Sequence, residues 1–159
     1  MKKIFFILSL AITSGTIYCQ NSIKSLDFIL VIDENIAIGS ITSLQLEVIG
    51  DTENIVHANY FPGSLSMNVV DYAKLLSETT KAIYLKFTYF EYHNKKQEVY
   101  NYEIEIKKAW LSDYYNILRI YNLDKLKYRG KLDPIGKGKN YNYELDSPSH
   151  SFRLIWKKK

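Results

Sequence analysis

The sequence predicts an all-β protein: a single antiparallel β-sandwich, immunoglobulin-like in general architecture, with eight or nine strands behind an N-terminal signal peptide. Three observations predict it. Apolar and polar residues alternate with period two in one run after another, as half-buried strands require. Turn residues punctuate those runs at short spacing, as in sandwiches and barrels. Aromatic content is high, with 14 Tyr, 7 Phe and 2 Trp; tyrosine suits a sheet surface because its ring buries while its hydroxyl stays wet. A β-barrel is the alternative closure of the same strands.

The chain opens MKKIFFILSLAITSGTIYCQ. Lys2 and Lys3 precede an apolar run over residues 4–12, and small or polar residues Thr13, Ser14 and Gly15 follow. Charge, apolar core and small-residue exit, in that order, describe a secretory signal peptide. The run is shorter than the roughly 20 residues a membrane span needs. Residues 1–19 are therefore read as a signal and 20–159 as one β-domain. Cys19 is the only cysteine. Bulky Tyr18 before it makes a poor lipoprotein site, whereas cleavage after Cys19 exposes Gln20 and leaves a cysteine-free chain. No second cysteine exists to pair with it, and no nearby histidine activates it. At about 140 residues the remaining domain can bury a sufficient core without disulfides. Removal of Lys2 and Lys3 also lowers the formal net charge of +4 by two.

Along the domain, Leu26, Phe28, Leu30 and Ile32 alternate, and residues 33–35 (DEN) read as a turn. Gly39 marks a bulge or bend before a longer strand over 41–49, with Leu44, Leu46 and Val48 on one side. Shorter strands over 55–61 and 65–70 flank Pro62-Gly63. Residues 71–76 are the only helix candidate, one turn capped by Asp71. A further strand spans 114–121.

The clearest segment is KAIYLKFTYFEYHNKKQEVYNYEIEIK, residues 81–107. With HNKK (93–96) as the turn, Tyr92 pairs with Gln97, Tyr89 with Tyr100, Phe87 with Tyr102, Leu85 with Ile104 and Ile83 with Ile106. One face is then apolar or aromatic. The other pairs Lys86 with Glu103 and Thr88 with Asn101. A slip of one residue scrambles both faces, so the pattern fixes the register. The C-terminal segment repeats the logic around SPSH (147–150): Leu145 faces Phe152, Tyr143 faces Leu154, Tyr141 faces Trp156, and Glu144 opposes Arg153. Pro148 sits in the turn, where its missing N–H costs nothing.

Few chemistries find a pattern. His57, His93 and His150 have no metal-ligand spacing, and Asp33-Glu34 lacks the spacing of a calcium loop. Neither a metal nor a cofactor is expected. Ser64 and Ser66, after Pro62-Gly63 and near His57, do not form a nucleophile elbow. GKLDPIGKGK (130–139) resembles a phosphate loop only superficially, because five residues rather than four separate its first glycine from Gly136-Lys137. Lys125, Lys127, Arg129, Lys131, Lys137 and Lys139, with Tyr128 among them, form a candidate basic patch. Nucleic acid is not the expected partner of an exported chain with a small net charge. Tyr84, Phe90 and Tyr92 share the Lys86/Glu103 face of the long hairpin, and Trp110 follows it. These four are the candidate surface for a ligand or partner.

These readings give an expected function. The chain is a non-enzymatic exported interaction or accessory module, periplasmic or extracellular, with a protein or glycan partner. Membrane association is expected only if Cys19 is lipidated. The alternatives are a carbohydrate-binding module using exposed aromatics and a hydrolase with scattered residues near His57. The natively processed protein is expected to have an intact mass beginning at Gln20, unmodified or as pyroglutamate. A mass beginning at Cys19 plus acyl chains would instead identify a lipoprotein.

Overall fold

A computed structural model describes residues 22–93 and 96–157. Residues 1–21, which hold the expected signal peptide and Cys19, together with Asn94, Lys95 and the last two lysines, lie outside the described residues. Eleven strands are present among the described residues: β1 (Ile23–Leu26), β2 (Phe28–Ile32), β3 (Asn35–Ile36), β4 (Ile41–Ile49), β5 (Asn54–His57), β6 (Asn59–Phe61), β7 (Ser64–Asn68), β8 (Ala82–His93), β9 (Lys96–Glu105), β10 (Asn116–Asn122) and β11 (Tyr141–Asp146). Helix α1 (Val69–Leu76) follows β7, and a 3-10 turn (Lys108–Ser112) follows β9. The count exceeds eight or nine because two expected runs are interrupted, at Asp27 and at Ala58, and the short β3 is added, while the expected last strand is reduced to a single bridge at Phe152.

The strands form three sheets, ordered β1-β7-β6, β11-β10-β2-β3 and β5-β4-β8-β9. None closes on itself, which removes the barrel alternative: β9, β5, β11 and β3 remain edges. Neighbours are antiparallel except β2 and β10, which run parallel from Asn116↔Phe28 to Ile120↔Ile32. A parallel pair needs a long crossover; here the whole β5-β4-β8-β9 sheet lies in the chain between them.

The long hairpin has the register its alternation dictates, from Tyr84↔Glu105 through Tyr89↔Tyr100 to His93↔Lys96. The strands run on through His93 and Lys96, the outer residues of HNKK, and the rest of that expected turn lies outside the described residues. Ile106 N–H donates to Ile83 O at 2.8 Å, continuing the ladder. The C-terminal hairpin forms only at its first pair. Leu145 and Phe152 exchange both backbone hydrogen bonds, at 3.2 and 2.9 Å. Beyond it the tail leaves β11. Leu154 N–H donates to the Glu144 carboxylate at 2.9 Å, and Trp156 packs on Tyr121 and Tyr128 instead of Tyr141. The buried Glu144 carboxylate takes the tail's backbone where a strand partner would have stood, while Arg153 still reaches it at 3.6 Å.

Local chemistry explains the other joints. Pro62-Gly63 turns β6 into β7 with Gly63 at φ +93°, which only glycine adopts freely. Gly63 also exchanges hydrogen bonds with Phe28, at 3.1 and 3.4 Å, stitching the first sheet to β2. Helix α1 begins two residues before the expected position and is capped by Asn68, whose Oδ1 accepts from Val70 N at 2.8 Å. Asp71 lies within the first turn and pairs with Lys74 at 2.7 Å. Gly39 does bend the chain, at φ +67°, but the bulge in β4 sits at Ser43, φ +53°.

One apolar cluster draws buried side chains from all three sheets, including Leu30, Leu46, Leu65, Leu85, Ile104, Leu118 and Leu145, with Leu75 from α1 and Trp110 and Leu111 from the 3-10 turn. A smaller one, Tyr121, Tyr128 and Leu132, lies under the connection between β10 and β11.

Candidate functional site

Backbone geometry defines the site first. In an antiparallel pair, residues alternate between pointing their N–H and C=O at the partner and pointing them away. The Ile106–Ile83 bond places Ile106, Ile104, Tyr102 and Tyr100 among those facing β8. The backbone groups of Glu103, Asn101, Val99 and Gln97 therefore face away, along the open edge of β9. At Glu103 they are satisfied by a side chain: the Tyr141 hydroxyl accepts from Glu103 N at 2.9 Å and donates to Glu103 O at 2.5 Å. Its ring meets Tyr102 edge to face at 5.0 Å. A tyrosine of β11 thus stops the β9 edge.

Beside that edge lies a cleft of about 360 Å³, lined by 99–102 on one wall and by Asn122, Asp124 and 138–141 on the other. Tyrosines build one wall. Tyr89, Tyr100 and Tyr102 form a stack with centroids 6.5 and 6.4 Å apart. Two polar atoms of lining residues are buried without a hydrogen-bond partner among the described residues: Tyr102 Oη, in a side chain 4 % exposed, and Asn122 Nδ2, in one 1 % exposed. Such atoms ordinarily carry partners. Burial, reinforced by the Asp33 charge, pushes the Tyr102 phenol far above the ordinary tyrosine value, so it stays protonated. The lining therefore combines tyrosines and amides with one carboxylate, Asp124, and one ammonium, Lys139.

A charged knot fixes the rim. Lys125 Nζ sits 2.7 Å from Glu91 and 2.9 Å from Asp33. Burial opposes its charge, but the two carboxylates outweigh that and hold its pKa above the ordinary lysine value. Asp33 itself is pushed up by burial, against the pull of Asn122 N–H at 2.8 Å and of Lys125. The Asp33-Glu34 turn takes φ +49° and +72°, the left-handed pair of a two-residue hairpin. That turn, the β8 end and the connection after β10 thus meet at one lysine.

The sequence-selected residues fall in several places. Tyr84, Phe90 and Tyr92 do share the outer face of β8, with Tyr92 70 % exposed and Phe90 beside Val99. Trp110 does not join them; it is buried in the core, its ring 6.1 Å from Phe152. Of the basic residues, Lys125 is in the knot, Lys127 pairs with Glu34, Arg129 donates to Asp124 O at 2.6 Å and Lys139 lies 3.2 Å from Glu103. Lys137 is exposed, and Lys131 is half-buried at the tail, its carbonyl accepting from Lys157 N. Much of the positive run is thus matched locally. Gly138 and Lys139, from the glycine-lysine stretch, line the cleft. His57 is exposed on β5 opposite Gln45. His150 Nδ1 lies 2.8 Å from Asp113, whose carboxyl is held below the usual range by His150, Ser147 and Ser149. Neither Tyr141 as an edge stop nor Asp33 as a partner of Lys125 carries a local sequence signal.

Replacing Lys125 with Ala leaves Asp33 and Glu91 facing each other in a half-buried site. Urea denaturation at neutral pH is expected to show a loss of about 2 kcal/mol. The difference from the parent chain is expected to narrow as pH falls through the raised Asp33 pKa, because a protonated Asp33 no longer needs the lysine.

No protein-family model matches the chain, and no curated protein and no solved structure is significantly similar to it.

Proposed function

We propose that the chain is an exported, non-enzymatic β-sandwich, immunoglobulin-like in general architecture, that acts as an interaction or accessory module in the cell envelope or outside the cell. The sandwich reading is supported by the edge-to-face contact of Tyr102 with Tyr141, which joins two different sheets across a shared core. The binding reading is carried by the cleft at the β9 edge, where Tyr102 Oη and Asn122 Nδ2 are buried without a hydrogen-bond partner among the described residues. Its volume lies within the range of ligand sites.

A carbohydrate-binding module is the second reading. It is favoured by the lining itself: Tyr100, Tyr102 and Tyr141 beside Asn101, Asn122, Asn140 and Asp124. Rings with amides, one carboxylate and the Lys139 ammonium match the flat faces and hydroxyl rims of a sugar.

Photo-crosslinking in the producing cells tests both. Asn140→p-benzoylphenylalanine in the cleft wall is expected to give a discrete adduct, and Lys74→p-benzoylphenylalanine on α1 is expected to give none. The mass of the adduct separates protein from glycan. Identical smears, or no adduct at either position, would contradict a binding role for the cleft.

A further inference from the structure

We propose that β9 accepts an extended peptide segment of a partner protein as an added fifth strand of the β5-β4-β8-β9 sheet. The inference rests on the reading of the chain as an interaction module, and it names the partner's chemistry: a main chain in β conformation, read through its backbone.

The edge itself carries the argument. The pairing of β8 with β9 runs from Tyr84↔Glu105 to His93↔Lys96 without a register shift. Gln97, Val99 and Asn101 therefore each turn one N–H and one C=O outward, and no backbone partner for these groups is found among the described residues. Proteins usually blunt such an edge with bulges, prolines or charges. This strand is stopped by a side chain at one end, while toward the turn its charges are Lys96 and the inner-face Glu98, which accepts from the Tyr100 hydroxyl. Tyr141 saturates Glu103, and Glu105 beyond it pairs with Lys107. From 97 to 101 the outer-face side chains Gln97, Val99 and Asn101 are uncharged, and there is no proline. Edge-strand addition uses such a row: backbone hydrogen bonds supply affinity and alternate side chains supply selectivity.

The two faces state what the segment would carry. On the outer face, Val99 is 53 % exposed beside Phe90 and Tyr92, so an aliphatic or aromatic residue opposite Val99 extends an existing apolar row. On the inner face, side chains of an added strand enter the cleft. There they meet residues that line the cleft, among them Tyr100, Asn140, the Asp124 carboxylate and Lys139, which suits an uncharged hydrogen-bonding side chain. A second copy of β9 fits less well. It would bring its own 138–141 wall into the gap that one strand must fill.

The test uses the full, natively processed chain. A random dodecapeptide library displayed on phage is selected against it, and the recovered peptides are synthesised. They are expected to alternate apolar with uncharged polar residues. Val99→Pro removes an outward N–H without touching the β8 ladder. It is expected to weaken binding by about tenfold or more with little change in the thermal midpoint. Should that variant fold poorly, N-methylation of alternate peptide residues gives the same readout on the unaltered chain, with loss in one alternation phase only. Tyr141→Phe frees Glu103 and is expected to tighten the binding of peptides long enough to reach it.

Three results would overturn the inference: recovery of no peptide, binding indifferent to both Val99→Pro and N-methylation, or a sedimenting homodimer that Val99→Pro dissolves. If the Asn140 cross-link persists while peptide binding ignores Val99→Pro, strand addition falls and the interaction module stands. If the cross-link is also absent, both fall.

Discussion

Ten consecutive cross-strand pairs hold β8 against β9 without a bulge. Because side chains alternate with period two, that single register decides every face of the sheet. It turns Ile83, Leu85, Phe87, Ile104 and Tyr102 into the core, and leaves Lys86, Thr88, Asn101 and Glu103 outside. β4 then pairs along β8, placing Leu46 and Val48 beside Leu85 and Ile83. The same register sets which backbone groups of β9 face outward. Core and edge are thus two consequences of one ladder.

Polar contacts then fasten the three sheets to one another. Tyr141 reaches from β11 to the Glu103 backbone, Tyr60 accepts from Leu30 N at 2.9 Å, and Lys125 gathers Asp33 and Glu91. Each spans a long stretch of sequence and ends in a group that would otherwise be buried unmatched. Removing such a partner costs more than the net worth of the bond. These few contacts therefore specify how the sheets sit, while apolar burial supplies the drive.

What was legible in the sequence was what repeats locally. Lys86 opposite Glu103 and Phe87 opposite Tyr102 follow from counting outward from the turn. Helix α1 was legible as an element but not in its cap, because Asn68 and Asp71 are both good caps and the strand before them decides. The C-terminal hairpin was half legible. Leu145 meets Phe152 as counted, yet Trp156 has a better aromatic site on Tyr121 and Tyr128, a site assembled only by folding. Of the cleft, the basic glycine-lysine stretch and the tyrosines were visible one by one. Their meeting at the β9 edge depends on how β11 lies against β9, which no periodicity encodes.

The account's central claim is that β9 presents an alternating, open edge stopped by Tyr141. Amide hydrogen exchange read residue by residue by NMR tests it most directly. Tyr100, Tyr102 and Ile104 should be protected by β8, and Gln97, Val99 and Asn101 should exchange quickly. Glu103 should be slow although it faces outward, because the Tyr141 hydroxyl holds its N–H. Protection of Val99 and Asn101 equal to that of their neighbours, or rapid exchange at Glu103, would contradict the account.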